Sequence, residues 1–174
     1  MTSRSTPGLS WFNSAQGAEA RAALHEVCAA RGWADALLAR RPYESVEALL
    51  AASDEATAAL TDAGLDEAMA GHPPIGRPKP GDPASAREQR GMAGASEELK
   101  AEMLELNLAY QDKFGHVFLI CATGRSAEEM RDAVRHRIDN SPRQEREIVR
   151  RELAKINRIR LTRLAAEEEG APTA

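Results

Sequence analysis

The chain has 174 residues, carries 23 Lys+Arg against 27 Asp+Glu for a formal net charge of −4, and is only 4% aromatic. That length suits one domain with a real core, and the acidic balance speaks against a general nucleic-acid binder. No run of about eighteen apolar residues is present to cross a membrane, and Ala, Leu, Glu and Arg dominate, which favours helix over sheet.

Residues 1–12 read as a loose arm anchored late by Trp11-Phe12, with no apolar core long enough for a signal peptide. A helix is expected over 17–30, with Leu24, Val27 and Cys28 on one face, ended by Arg31-Gly32. A short helix over 33–40 stops at Arg41-Pro42. Ser45 is placed to cap a third helix, and helical character continues through 53–61 and 66–70, punctuated by Gly64. The loop 71–83, GHPPIGRPKPGDP, holds five prolines. Ser85-x-x-Glu88 is a capping-box pattern announcing the next helix, and Gly91 and Gly94 loosen the chain beyond it. A helix over 96–112 places Leu99, Met103, Leu106 and Tyr110 in one stripe and stops at Gly115.

Val117 to Ala122 is the single β-like run. It has no second run to pair with, so an extended, buried connector is expected. Ser126 and Glu129 form another capping box, followed by a stripe of Met130, Val134 and Ile138. Asn140-Ser141-Pro142 breaks that helix, and a last one is expected over 143–168. No internal repeat is visible. The expected fold is all-α: one multi-helix bundle domain over 1–174, with a proline-rich active-site loop, one short extended connector, and flexible ends at 1–10 and 169–174.

Three residues stand out. His72 precedes a proline, which pushes it out of the α region. It should stand at a helix end with two prolines restricting it, as either a catalytic group or a surface histidine. Glu88 is first a capping-box glutamate, although free N–H groups at a helix start also bind polar or anionic groups, so Ser85 to Gln89 are candidates to line a site. On a helical wheel Val149, Leu153, Ile156 and Leu164 share one arc, Ile159 lies at its edge and Arg160 in its middle. An arginine there must find a partner, line a pocket or snorkel past the core edge. Arg146, Arg150, Arg151 and Arg158 read as a solvated face. His25, His116 and His136 form no HxxxH or HExxH pair, so no metal site is expected. No GxGxxG, GxxxxGK[ST] or GxSxG motif occurs. Cys28 and Cys121, far apart and without metal-ligand spacing, read as buried thiols in a reducing compartment.

In order along the chain come His72-Pro73-x-Ile75-Gly76, Ser85-x-x-Glu88-Gln89, Asn107-x-x-Tyr110-x-x-Lys113-Phe114-Gly115, Phe118 to Ala122 and Ile156-x-x-Ile159-Arg160-Leu161. This series resembles 2-oxo-4-hydroxy-4-carboxy-5-ureidoimidazoline (OHCU) decarboxylase, an enzyme family of urate degradation. Trp11-Phe12-Asn13, Cys28, Trp33, Arg41-Pro42-Tyr43 and Leu49-Leu50 extend the resemblance over nearly the whole chain. It implies an all-helical homodimer that needs no cofactor or metal and decarboxylates OHCU to (S)-allantoin. It also implies His72 and Glu88 as catalytic residues. Arg160, Pro73, Ser85, Gln89, Phe118, Leu119, Ile120, Cys121 and Ala122 are implied as substrate-binding. Pro74 departs from the pattern, standing where the family commonly has an arginine.

The rival readings are a non-catalytic helical interaction module, a nucleic-acid binder using the arginine-rich 143–163 stretch, and a lyase or hydrolase for a related ureide. Acidic Glu145, Glu147 and Glu152 interleave in that stretch and oppose the second. The C-terminal Ala-Pro-Thr-Ala is no Ser-Lys-Leu-type address, so a cytoplasmic location is expected.

Overall fold

The computed structural model describes residues 8–77, 80–81 and 83–166, with nothing said of the side chains at 83–85. The all-helical expectation holds. The described residues form α1 (Leu9–Ser14), α2 (Gly17–Val27), α3 (Arg31–Ala39), α4 (Val46–Ala58), α5 (Asp62–Ala70), α6 (Pro83–Glu88), α7 (Arg90–Ala93), α8 (Glu97–Phe114), α9 (Ala127–Arg137) and α10 (Pro142–Ala165), with no strand among them. None of these helices is long and apolar enough to cross a membrane. The chain divides into two compact units, Met1–Glu67 with Ala154–Ala174, and Ala68–Leu153.

Several helix ends follow from the sequence. Ser45, Ser96 and Ser126 each accept a backbone N–H of the first turn, and Ser126 with Glu129 completes the expected capping box. Gly115 ends α8 in the left-handed region at φ 77°, where an L side chain is strained.

Other ends differ from expectation because their caps come from distant residues. The expected loose arm contains α1, with Phe12 fully buried. Arg41 lies 5.7 Å from the centre of the Phe12 ring. Its guanidinium donates to the carbonyls of Phe12 and Ala15 at 2.9 Å, satisfying the end of that short helix. Asn13 and Tyr43 then exchange two hydrogen bonds, Asn13 Nδ2 to the Tyr43 carbonyl (2.9 Å) and Tyr43 N–H to Asn13 Oδ1 (2.8 Å). Arg31-Gly32 opens α3 rather than merely ending α2, because the Glu67 carboxylate accepts the Arg31 N–H at 2.5 Å. Gly64 lies inside α5 instead of interrupting it. Pro142 occupies the first position of α10, where its missing N–H costs nothing. Ser141 and Gln144 hydrogen-bond each other's backbone N–H there, a capping box of the same S-x-x-Q form.

The first unit packs around Phe12, Leu24, Trp33, Leu37 and Leu49, all fully buried. Its buried polar groups pair internally: Trp33 Nε1 donates to Ser53 Oγ (3.2 Å) and Asn157 Nδ2 to Thr57 Oγ1 (3.3 Å). In the second unit the α8 stripe of Leu99, Met103 and Tyr110 meets Met92, Phe118, Ile120, Met130 and Val134. Tyr110 packs edge-on against Phe118 with ring centres 5.2 Å apart.

Beside that contact lies a buried ion pair that sequence spacing did not suggest. Arg137 Nε donates to both Glu145 carboxylate oxygens (2.8 and 3.1 Å), with Arg137 5% and Glu145 0% exposed. The guanidinium stacks 4.5 Å from the Phe118 ring centre, and its Nη1 donates to the Leu119 carbonyl at 2.8 Å. Removing one partner of a buried pair leaves an uncompensated charge, which costs about 3–5 kcal/mol. Urea denaturation of Glu145→Ala is expected to show a loss of that order. The double replacement Arg137→Met/Glu145→Leu should lose less than Glu145→Ala alone.

Burial pushes the Cys28 thiol above its ordinary value. The Tyr110 phenol is raised too, chiefly by burial and further by the Glu145 charge, with Arg137 opposing. Both groups stay neutral in the folded chain at pH values where the unfolded chain releases their protons, beginning at about 8.5 for Cys and 10 for Tyr. The folded state then binds more protons, so stability is complete below about pH 8.5 and declines as the pH rises further. The urea midpoint is expected to fall between about pH 8 and 10.5, and Tyr110→Phe should flatten the upper part of that fall.

Candidate functional site

The second unit holds two stretches without regular structure, 72–77 and 117–122, and side chains organise both. α5 ends just before His72, whose N–H donates to the Met69 carbonyl at 3.0 Å. His72 thus stands at a helix end, as its position before proline requires, and is half-buried together with Pro73 and Pro74. The loop then turns, with Arg77 N–H donating to the Pro74 carbonyl (3.0 Å) and Gly76 at φ 90°. Only glycine takes that conformation without strain.

Two buried amides grip this loop. Gln89 Oε1 accepts the Gly76 N–H (2.8 Å), Gln89 Nε2 donates to the Pro74 carbonyl (3.1 Å), and Asn107 Nδ2 donates to the Ile75 carbonyl (2.9 Å). Gln89 immediately follows Glu88, so the clamp ties the His72 loop to the end of the helix that carries Glu88. Gln89, expected in the substrate wall, therefore spends one donor and one acceptor on the loop, leaving one N–H and one lone pair.

The Ser85–Glu88 capping box is not the start of α6. The helix begins at Pro83, which suits a first helical position, so Ser85 sits inside it and Glu88 is its last residue. The Ser85 side chain lies outside the described residues. Glu88 is half-buried.

Gly91, expected only to loosen the chain, is a close-packing point. A Cβ placed there would lie 2.1 Å from the Arg125 carbonyl oxygen, so α7 rests directly on the turn that follows 117–122. An isolated glycine within a helical pattern is the available sequence signal for such a contact.

The stretch 117–122 is an irregular, buried connector, as expected, with Phe118, Leu119, Ile120, Cys121 and Ala122 all at most 8% exposed. Arg137 holds the Leu119 carbonyl, and Arg125 Nε donates to the Cys121 carbonyl at 3.2 Å. Arg125 in turn lies 3.7 Å from the buried Glu152 carboxylate. The two arginines thus hold carbonyls two residues apart. The Ala122 carbonyl accepts the Arg125 N–H at 3.0 Å and closes the turn beyond the connector. Backbone N–H groups of an irregular segment are suited to bind oxygen atoms of a ligand where the chain does not consume them.

Arg160 belongs to the first unit. It is half-buried, and its Nη1 donates to the Val27 carbonyl at the end of α2 (3.0 Å), so the arginine inside the core arc has found a backbone partner. His25 and His136 are exposed. His116 is half-buried against Tyr110, with Nδ1 3.0 Å from the Val117 carbonyl oxygen. Among the described residues, no group of three or more His, Cys, Asp or Glu side chains is placed to hold a metal ion.

The sequence model of the OHCU decarboxylase family matches residues 13–162. This chain belongs to that family. It is similar to the uric acid degradation bifunctional protein TTL of Arabidopsis thaliana, 30% identical over 148 residues that make up 81% of this chain and 46% of the relative. It also resembles the 2-oxo-4-hydroxy-4-carboxy-5-ureidoimidazoline decarboxylase of Amia calva, 39% identical over 61 residues covering 35% of each chain. The matches therefore span less than half the length of these curated relatives.

Among solved structures, an OHCU decarboxylase crystallised in the presence of (S)-allantoin superimposes with a TM-score of 0.72 at 27% identity. That match covers 81% of this chain and 95% of the other. An (S)-allantoin synthase structure, at TM-score 0.68 and 19% identity, covers 88% of this chain and 52% of the other and supports the fold alone.

Family membership gives the motifs of this OHCU decarboxylase-like chain a physical reading. The residues that follow Glu88 are packed on two sides, against the His72 loop through Gln89 and against the end of the connector through Gly91. Gly91→Ala is expected to push α7 off the Arg125 carbonyl and to destabilise the protein by about 1–3 kcal/mol in urea denaturation, the usual range for forced overpacking.

Proposed function

We propose that this chain is a carboxy-lyase that converts OHCU to (S)-allantoin without a cofactor, within urate degradation. The observation that carries the reading is one unit holding the His72 loop, the Glu88–Gln89 turn and the buried, irregular connector 118–122, in a chain of the OHCU decarboxylase family.

The reaction needs an electron sink, and the substrate supplies it. The bond to the departing carboxylate breaks, its electron pair forms a ring C=C bond, and the adjacent C=N pair moves to nitrogen, which takes a proton. The carbon bearing the ureido group is then protonated on one face while the ring hydroxyl loses its proton and becomes a carbonyl. The protein must stabilise charge as it develops and deliver a proton to that face.

His72 is the proposed general acid/base, since imidazole titrates near about 6.5. Its backbone is restricted by the prolines that follow and by the Gln89 and Asn107 contacts, and such restriction favours a reactive geometry. Glu88 orients His72 or a substrate N–H. Arg160 holds a ring or ureido oxygen through its planar donors. A tight grip on the departing carboxylate would stabilise the ground state and slow the step, so that group is not its target. Pro73, Ser85, the remaining N–H and lone pair of Gln89, and the stretch from Phe118 to Ala122 complete the substrate wall. The active form is proposed to be the homodimer implied by the family, a state that light scattering reads directly.

A coupled circular-dichroism assay tests the reading. Urate is converted in place to OHCU by urate oxidase and hydroxyisourate hydrolase, and this protein is added as wild type or His72→Ala. Wild type is expected to speed appearance of the (S)-allantoin signal, and His72→Ala to lose about 10²–10⁴-fold of that rate. Equal rates for both would remove His72 from the chemistry. No acceleration by wild type would discard the decarboxylase reading in favour of a helical interaction module.

A further inference from the structure

We propose that Asn107 is a positioning residue for this reaction, holding the His72 loop through the Ile75 carbonyl. The proposal rests on the functional reading in which His72 carries the chemistry. Asn107 lies on the buried face of α8 between Met103 and Tyr110 and is 4% exposed. One half of its amide is used, the Nδ2–H donating to Ile75 at 2.9 Å. The other half, Oδ1, is buried and has no hydrogen-bond partner among the described residues.

An amide with a buried, unpaired oxygen is a costly occupant of a helix's core face. Leucine has the same branched shape and carries no polar atom to leave unpaired. As packing, asparagine is the inferior choice at this position. What it supplies and leucine cannot is one donor aimed at the third residue after His72.

Gln89 grips the loop on either side of Ile75, at the Pro74 carbonyl and the Gly76 N–H. Those two bonds share one side chain, so the loop can still rock about that point. The Asn107 bond comes from a different helix and supplies the second fixed point. With both in place, the orientation of the peptide running back to His72 is set. With Gln89 alone it is not, and a misplacement of about 1 Å costs about a hundredfold in rate.

The test uses the coupled dichroism assay on wild type, Asn107→Leu and Asn107→Asp across a pH series. Asn107→Leu is expected to lose about ten- to a hundredfold in kcat. Its KM should stay within about twofold, because the lost interaction serves the transition state. Its melting temperature should stay near that of wild type.

Asn107→Asp carries a signature that a packing role would not produce. A protonated carboxyl can donate to the Ile75 carbonyl and a carboxylate cannot, and burial raises such a carboxyl above about 3.9. Its rate relative to wild type should therefore fall as pH rises, while the Asn107→Leu ratio stays flat. Wild-type kcat in Asn107→Leu, or a flat ratio in Asn107→Asp, would overturn the proposal.

Hydrogen exchange at the Gly76 and Arg77 amides, read in the same proteins, separates this proposal from the functional reading. If wild type shows no turnover, the decarboxylase reading fails, and exchange still decides whether Asn107 holds the loop. Faster exchange in Asn107→Leu supports the proposal, and unchanged exchange overturns it.

Discussion

A buried carbonyl or N–H outside a helix or sheet must find a side-chain partner, and the second unit is organised around that requirement. Its two irregular stretches, 72–77 and 117–122, have no sheet to satisfy them. Long polar side chains from neighbouring helices and turns take that role: Gln89 and Asn107 for the first, Arg125 and Arg137 for the second. Each of these groups is itself placed by packing. Arg137 lies over Phe118 and against Glu145, and Asn107 rides on the helix whose Met103 and Tyr110 build the core.

The same arrangement explains how a helical fold can leave backbone groups open outside its helices. A helix satisfies its own backbone and leaves little for a ligand except at its ends. An irregular segment has the opposite property, offering donors wherever they are not consumed internally. In 117–122 the arginines take the carbonyls of Leu119 and Cys121. In 72–77 the amides hold the backbone at three successive residues, Pro74, Ile75 and Gly76, just beyond His72.

The first unit applies the same chemistry to a structural end. Arg41 closes α1, Asn13 and Tyr43 exchange backbone bonds, and Arg160 satisfies the end of α2 at Val27. These pairings account for the Trp11-Phe12-Asn13 and Arg41-Pro42-Tyr43 motifs without assigning them catalytic roles. For Arg160 they show that a motif residue can hold a helix end whatever else it binds.

The sequence by itself determined the helical class and most helix starts and stops, because periodicity and serine caps act within a single turn. Ser45, Ser126 and Gly115 were all legible for that reason. It also placed His72 at a helix end, through the proline after it, and 117–122 as a connector, through the lack of any partner run. What it misjudged were ends governed from a distance or by a competing local rule. Glu67 opens α3 from 36 residues away, Arg41 closes α1, and Pro83 starts α6 ahead of the Ser85 box. The clamps on the candidate site were likewise invisible. The pairs Asn107–Ile75, Arg137–Leu119 and Gly91–Arg125 join residues 32, 18 and 34 positions apart. Only the packed helices bring such residues within hydrogen-bonding or van der Waals reach, so spacing along the chain carried no sign of them.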